Sequence, residues 1–135
     1  MSGWYGAGKS RLAGASNWTS GTYYAVVIDT ADYTYARTHA DMQNANVPTA
    51  AKQGTPVALT GKTVNSDGEL DCDDFTVTGL SAGQDTAEAV IIYEEASASD
   101  ANRFPLLFIN GLTIIPNGGN YTFQVASSTP FLGRL

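Results

Sequence analysis

Residues 87–94 read AEAVIIYE, and the way their side chains divide decides the fold. In an extended chain Ala89, Ile91 and Tyr93 point one way, and Val90 and Ile92 the other. Both sets are apolar, so the strand needs cover on both faces and belongs in the middle of a sheet. Residues 23–29, YYAVVID, repeat the pattern and give a second strand covered on both sides. Further out the signals are those of half-buried strands. Phe75 and Val77 alternate with Thr76 and Thr78 in a strand over 75–80, and Tyr121, Phe123 and Val125 alternate with Thr122 and Gln124. Residues 56–64 supply another. Asn110-Gly111 separates the apolar runs 104–109 and 112–115, and this dipeptide is preferred in two-residue hairpin turns. Many short strands with turn signals at roughly 8–12-residue spacing predict a mainly β fold, a single antiparallel β-sandwich or jelly-roll-like domain.

One short helical segment is expected, over 33–45, where Ala36, Ala40, Met42 and Ala45 make a weak apolar face and Pro48 stops further growth. Residues 1–16, MSGWYGAGKSRLAGAS, hold four glycines and scattered large side chains. They are expected to form an extended N-terminal arm, mobile alone and ordered by a partner, with 17–135 as the β domain. Trp4, Tyr5 and Trp18 then stand out as isolated aromatic anchors. Phe131 and Leu132 are second candidates for contact with a partner, because aromatic and large apolar side chains dominate interface energetics.

The 135 residues make one domain, and 43% of them are hydrophobic, enough for a globular core. No apolar run approaches the roughly 18 residues of a membrane span, and the first residues lack the apolar centre of a signal peptide. A cytosolic origin is the expectation. The net charge of −6 argues against nucleic acid, which is bound through a basic face, and against anionic membranes.

Several motifs offer chemistry. Residues 3–10, GWYGAGKS, fit the phosphate-loop pattern, but a phosphate loop needs a strand running into Gly3 and a helix opening near Lys9. With two residues before the motif and Gly14 after it, neither is expected, and no nucleotide or other cofactor is assigned. Asp67, Glu69, Asp71, Asp73 and Asp74 crowd one stretch, and alternate carboxylates can converge on calcium. Gly68 is misplaced for a calcium loop, so solvated carboxylates at a turn are preferred and no metal is assigned. Cys72, the one cysteine, sits among these carboxylates, which should raise its pKa. His39, the one histidine, has no partners at metal-ligand spacing. Glu94 and Glu95 are adjacent on a strand and point to opposite faces, a poor geometry for paired acid–base work. Asn17-Trp18-Thr19 and Asn120-Tyr121-Thr122 match the glycosylation acceptor, which carries little meaning without a secretory signal. No catalytic residues are assigned.

Taken in order, the segments NWTSGTYYAVVIDTADYTYARTH, TPVALTGKTVNSDGELDCDDFTVTGLSAGQDTAEAVIIYEEA and PNGGNYTFQV resemble small structural proteins of tailed-bacteriophage virions. The likeness covers about residues 17–126. It lies in the Asn-Trp-Thr opening at 17–19, Asp-Thr-Ala-Asp-Tyr-Thr at 29–34, Leu-Thr-Gly-Lys-Thr at 59–63, the acidic turn before the Phe-Thr strand at 71–76, the apolar strand at 87–93, and Pro-Asn-Gly-Gly at 116–119. The resemblance implies a capsid decoration or cement protein, made in the host bacterial cytoplasm and carried on the capsid surface. Its partners would be the major capsid protein and copies of itself as a homotrimer, with no catalytic residues to transfer. The alternatives are a tail or neck component, a carbohydrate-binding β-sandwich using Trp18, Tyr23 and Tyr24 as a stacking platform, and, last, a hydrolase.

Overall fold

The computed structural model describes residues 3–125 and the strand Gly133–Arg134. In chain order its elements are β1 (Gly3–Trp4), α1 (Gly6–Gly14), β2 (Tyr23–Ile28), β3 (Lys52–Ala58), β4 (Thr63–Val64), β5 (Glu69–Asp71), β6 (Phe75–Val77), β7 (Ala89–Glu95), β8 (Arg103–Ile109), β9 (Tyr121–Phe123) and β10 (Gly133–Arg134). The fold is mainly β and sandwich-like. A five-stranded antiparallel sheet in the order β1-β8-β7-β2-β3 faces two smaller ones, β10-β5-β4 and β6-β9.

The doubly apolar strand is central, as its pattern demands. β7 pairs with β2 through Val26↔Ile91 and Val27↔Val90, and with β8 through Ile91↔Phe108 and Ile92↔Leu107. Ile91 and Ile92 are both completely buried, each burial worth about 1.5–3 kcal/mol against exposure. Alternation sends the two residues into different cores. Ile92 joins Tyr23, Ala25, Val27, Val90, Leu106 and the small sheets' Leu70, Phe75 and Val77. Ile91 joins Val26, Ile28, Tyr33, Met42, Val47 and Phe108. The first core lies between strands. The second is roofed by residues 29–48, which contain no helix or strand.

Strand β3 stitches the two layers. Val27 pairs with Gln53 and Ala25 with Val57, so Gly54, Thr55 and Pro56 stand opposite Val26 alone. At this bulge Thr55 leaves the large sheet and its N–H donates to Thr78 O at 2.8 Å, bridging to the residue that follows β6. Gly54 has φ +71°, and a Cβ there would lie 2.7 Å from Thr78 O, so the crossing needs glycine.

Three expectations are corrected. The N-terminal residues are not a free arm. Gly3 and Trp4 pair with Phe108 and Leu107, and α1 lies against β8. Gly8 lets the helix approach closely, since a Cβ on it would sit 2.5 Å from Leu106 Cα and from Pro105 O. The salt bridge from Arg11 Nε to Glu94 Oε1, at 2.7 Å, fastens the helix to β7. Residues 33–45 are irregular. Tyr33, Tyr35 and Met42 pack on the sheet while Ala40 and Ala45 are exposed, and Asp41 and Ala36 close turns at Gln43 and His39 in place of a helix. Finally, Asn110-Gly111 makes no hairpin. The free edge of β8 is taken by β1, so 112–115 turns back and Ile114 bridges Ala87.

Candidate functional site

The phosphate-loop motif at 3–10 does have a strand and a helix, contrary to the sequence expectation, but in the wrong frame. The helix opens at Gly6, which leaves Lys9 and Ser10 in its body. The amides that would cradle an anion already serve carbonyls: Tyr5 N–H goes to Leu106 O, Gly6 N–H to Arg37 O, and Lys9 N–H to Tyr5 O. The strand is an antiparallel edge strand, so no parallel-sheet phosphate site is formed.

The aromatic anchors have gone inward. Tyr5 is fully buried and lies edge-on to Tyr35, with ring centroids 5.1 Å apart. Trp18 is 4% exposed, rests on Tyr23, and donates its indole N–H to Thr63 O at 2.9 Å and Asp71 O at 3.2 Å. It thereby pins the β4–β5 pair to the large sheet. Trp4 is half-buried against the inter-sheet core. Phe131 and Leu132 lie outside the described residues. With Trp18 and Tyr23 in the core, the stacking platform of a carbohydrate module is not presented. Tyr24 is half-buried and stacks on Tyr93. The large apolar side chains left exposed among the described residues are Val64 and Ile115.

The acidic stretch does not close around a cation. Among the described residues no three His, Cys, Asp or Glu side chains converge as a metal site. Glu69 is buried in β5 and accepts from Asn65 Nδ2 at 2.8 Å, and Asn65 Oδ1 accepts the Asp67 and Glu69 amides, so the segment is a tight Asx turn. Asp73 accepts from Thr60 Oγ1, and Asp74 from the Val125 amide. Burial, reinforced by Asp71 and Asp73, pushes the Cys72 thiol up to about 12, and the thiolate is scarce at neutral pH.

One cleft of about 280 Å³ opens over the β3 bulge, lined by Val26, Thr49, Lys52, Tyr93, Asp100 and Arg103 among others. Its cations are already engaged. Arg103 reaches Glu95 at 2.7 Å and Asp100 at 2.9 Å, while Lys52 donates to Met42 O at 2.6 Å and lies 3.6 Å from Asp100. Burial pushes the Tyr93 hydroxyl up to about 12, partly offset by Arg103. Asp100 feels burial upward, but its bond from Arg103 and the charge of Lys52 bring its pKa below the ordinary value. The group works as a clamp: Met42 N–H donates to Arg103 O and Asp100 O, so both backbone groups of Met42 hold the roof loop to the sheet. Glu94 and Glu95 point to opposite faces as their spacing implies, one to Arg11 and the other to Arg103. Gln53 donates to Asp85 O and leaves its buried Oε1 without a protein partner.

Sequence patterns gave no warning of a third arrangement, in which the Tyr5, Tyr33 and His39 side chains meet. Residues 28 positions apart supply the two phenols, and only the folded roof brings them together. No family model, curated protein or solved structure matches this chain.

Proposed function

We propose that the chain is a non-enzymatic structural protein of a tailed-phage virion, a capsid decoration or cement protein that braces contacts between capsid subunits. The observation that carries this reading is how the fold uses its reactive groups. Cys72 is buried and hard to ionise, Glu94 and Glu95 are tied to arginines, and Lys52 clamps a loop. These four side chains hold the domain together. The order of segments over residues 17–126, with its likeness to virion structural proteins, supports the same reading.

Bracing would act by multivalency. Each copy, as a homotrimer, contacts the major capsid protein and its own neighbours through weak contacts that must break together when packaged DNA presses outward. Gly3 and Trp4 are engaged in the sheet and α1 lies against β8, so attachment falls to the surface loops and exposed strands instead of an arm. Counting copies in purified virions, and heating particles with and without the protein, tests this. The expected result is a copy number that scales with the capsomers and a lower rupture temperature without the protein. A small fixed ring of copies at one vertex assigns it instead to the neck or tail.

A further inference from the structure

A chain of hydrogen bonds runs from the core to the surface through the only histidine. Tyr5 Oη lies 2.7 Å from Tyr33 Oη, which lies 2.8 Å from His39 Nδ1. Tyr5 is wholly buried, Tyr33 is 5% exposed, and His39 is half-buried. The direction of the protons follows from the inventory of donors. A neutral imidazole protonated on Nε2 accepts at Nδ1, so Tyr33 donates to it. The Tyr33 oxygen then accepts from Tyr5, and the Ala36 amide faces the same oxygen. A second proton on His39 turns the acceptor at Nδ1 into a donor. Tyr33 must then turn its proton toward Tyr5, whose hydrogen-bond partner among the described residues is Tyr33 alone. The Tyr5 hydroxyl becomes a donor with no acceptor in a site without solvent, which is costly.

We propose that Tyr5, Tyr33 and His39 form an acid-sensitive latch: protonation of His39 breaks the relay and lifts residues 33–39 off the outer face of the sheet. What it uncovers is aromatic: Tyr35 stacks on Phe108 at 5.2 Å, and Tyr33 stands edge-on to the same ring. The far half of the roof stays down, because Met42 is clamped by Lys52, Asp100 and Arg103. The titratable groups facing the histidine are Tyr33 on its own loop and, behind it, Tyr5 at the head of α1, with Tyr35 beside both. From the sheet the neighbouring ring is Phe108, which carries no proton to exchange. Burial moves the His39 pKa down from its ordinary 6.5. The folded state therefore binds fewer protons than the unfolded one. The stability this residue confers is complete above about 6.5 and is lost as pH falls toward the lower folded value.

With one histidine, the imidazole signal in a proton NMR titration needs no assignment. The expected midpoint lies below 6.5. Over the same range the Gly6 amide, bonded to Arg37 O, should lose exchange protection by up to about tenfold per pH unit after correction for intrinsic rates, while the Met42 amide keeps its own. His39→Asn leaves an acceptor near the place of Nδ1 and cannot titrate, so it should flatten the Gly6 response. Tyr33→Phe removes the donor at Nδ1 that favours the neutral ring, and should therefore raise the His39 midpoint. A wild-type midpoint at or above 6.5, or an equal loss at Gly6 in His39→Asn, overturns the latch. Should His39→Asn fail to fold, Tyr33→Phe decides alone: an unchanged midpoint is equally fatal.

Discussion

The two faces of the five-stranded sheet bury similar side chains under very different cover. On one face Ile92, Val90 and Val27 meet β5 and β6, whose backbone groups are tied into ladders. On the other, Ile91, Val26 and Ile28 meet a roof with no ladder of its own. That roof is held by side-chain ties, namely Tyr35 Oη to Trp4 O at 2.6 Å, the Tyr5–Tyr33 contact and Lys52 to Met42 O, and by scattered backbone bonds such as Gly6 N–H to Arg37 O and Met42 N–H to Arg103 O. Burial is the same on both faces, but the backbone of one cover can move without breaking a sheet. Loops this long without regular structure are uncommon and usually serve a function, and they open at lower free energy than the strands beneath.

Truncating one isoleucine on each face puts a magnitude on this difference. Ile92→Ala should have the largest effect, toward the top of the roughly 2–5 kcal/mol range, because strands on both sides resist closing the cavity. Ile91→Ala should fall toward the bottom of that range, about 2–3 kcal/mol, because the roof can settle into the space. Urea unfolding of the pair reads the difference directly, and a larger loss for Ile91→Ala would mean that the roof is as rigid as a sheet. Next comes Gly8→Ala, whose new methyl meets the β8 backbone. It should cost about 1–3 kcal/mol by lifting α1, and an unchanged Tm would show that the helix does not bear on the sheet. Tyr35→Phe removes one roof tie and should cost about 0.5–1.5 kcal/mol, with faster hydrogen exchange confined to the roof. Lys9→Ala, at an exposed site, should stay within about 0.5 kcal/mol in the same unfolding assay and leave the fold untouched.

What the sequence made legible was periodicity. β2, β6, β7, β8 and β9 each carry alternation or a doubly apolar run, and each forms close to where that pattern lies. Features that depend on distant partners were hidden. α1 has neither a strong apolar face nor a side-chain cap, and its glycines count against a helix in isolation. It forms because Gly8 fits against Leu106 and Arg11 finds Glu94, and neither contact leaves a mark at helical spacing. The Asn110-Gly111 turn was read from local chemistry alone, while the strand that displaced its hairpin sits at the other end of the chain. The aromatic anchors failed for a related reason: composition distinguishes a large ring from a small side chain, but not a partner's pocket from the chain's own core.

Gly3 and Trp4 close the sheet against Phe108 and Leu107. The pairing spans on the order of a hundred residues, and such long-range closure is slow to form. At a synthesis rate of about 5–20 residues per second, the first strand emerges on the order of ten seconds before the strand that will receive it. During that interval Trp4 and Tyr5 lack the cover that β8 provides, and β7 ends the sheet with an open edge. Neighbouring nascent chains present the same edge and the same unpaired strand, so exchange between copies competes with closure within one. A stalled ribosome is thus the setting in which this domain is most exposed to misassembly, whatever its final stability.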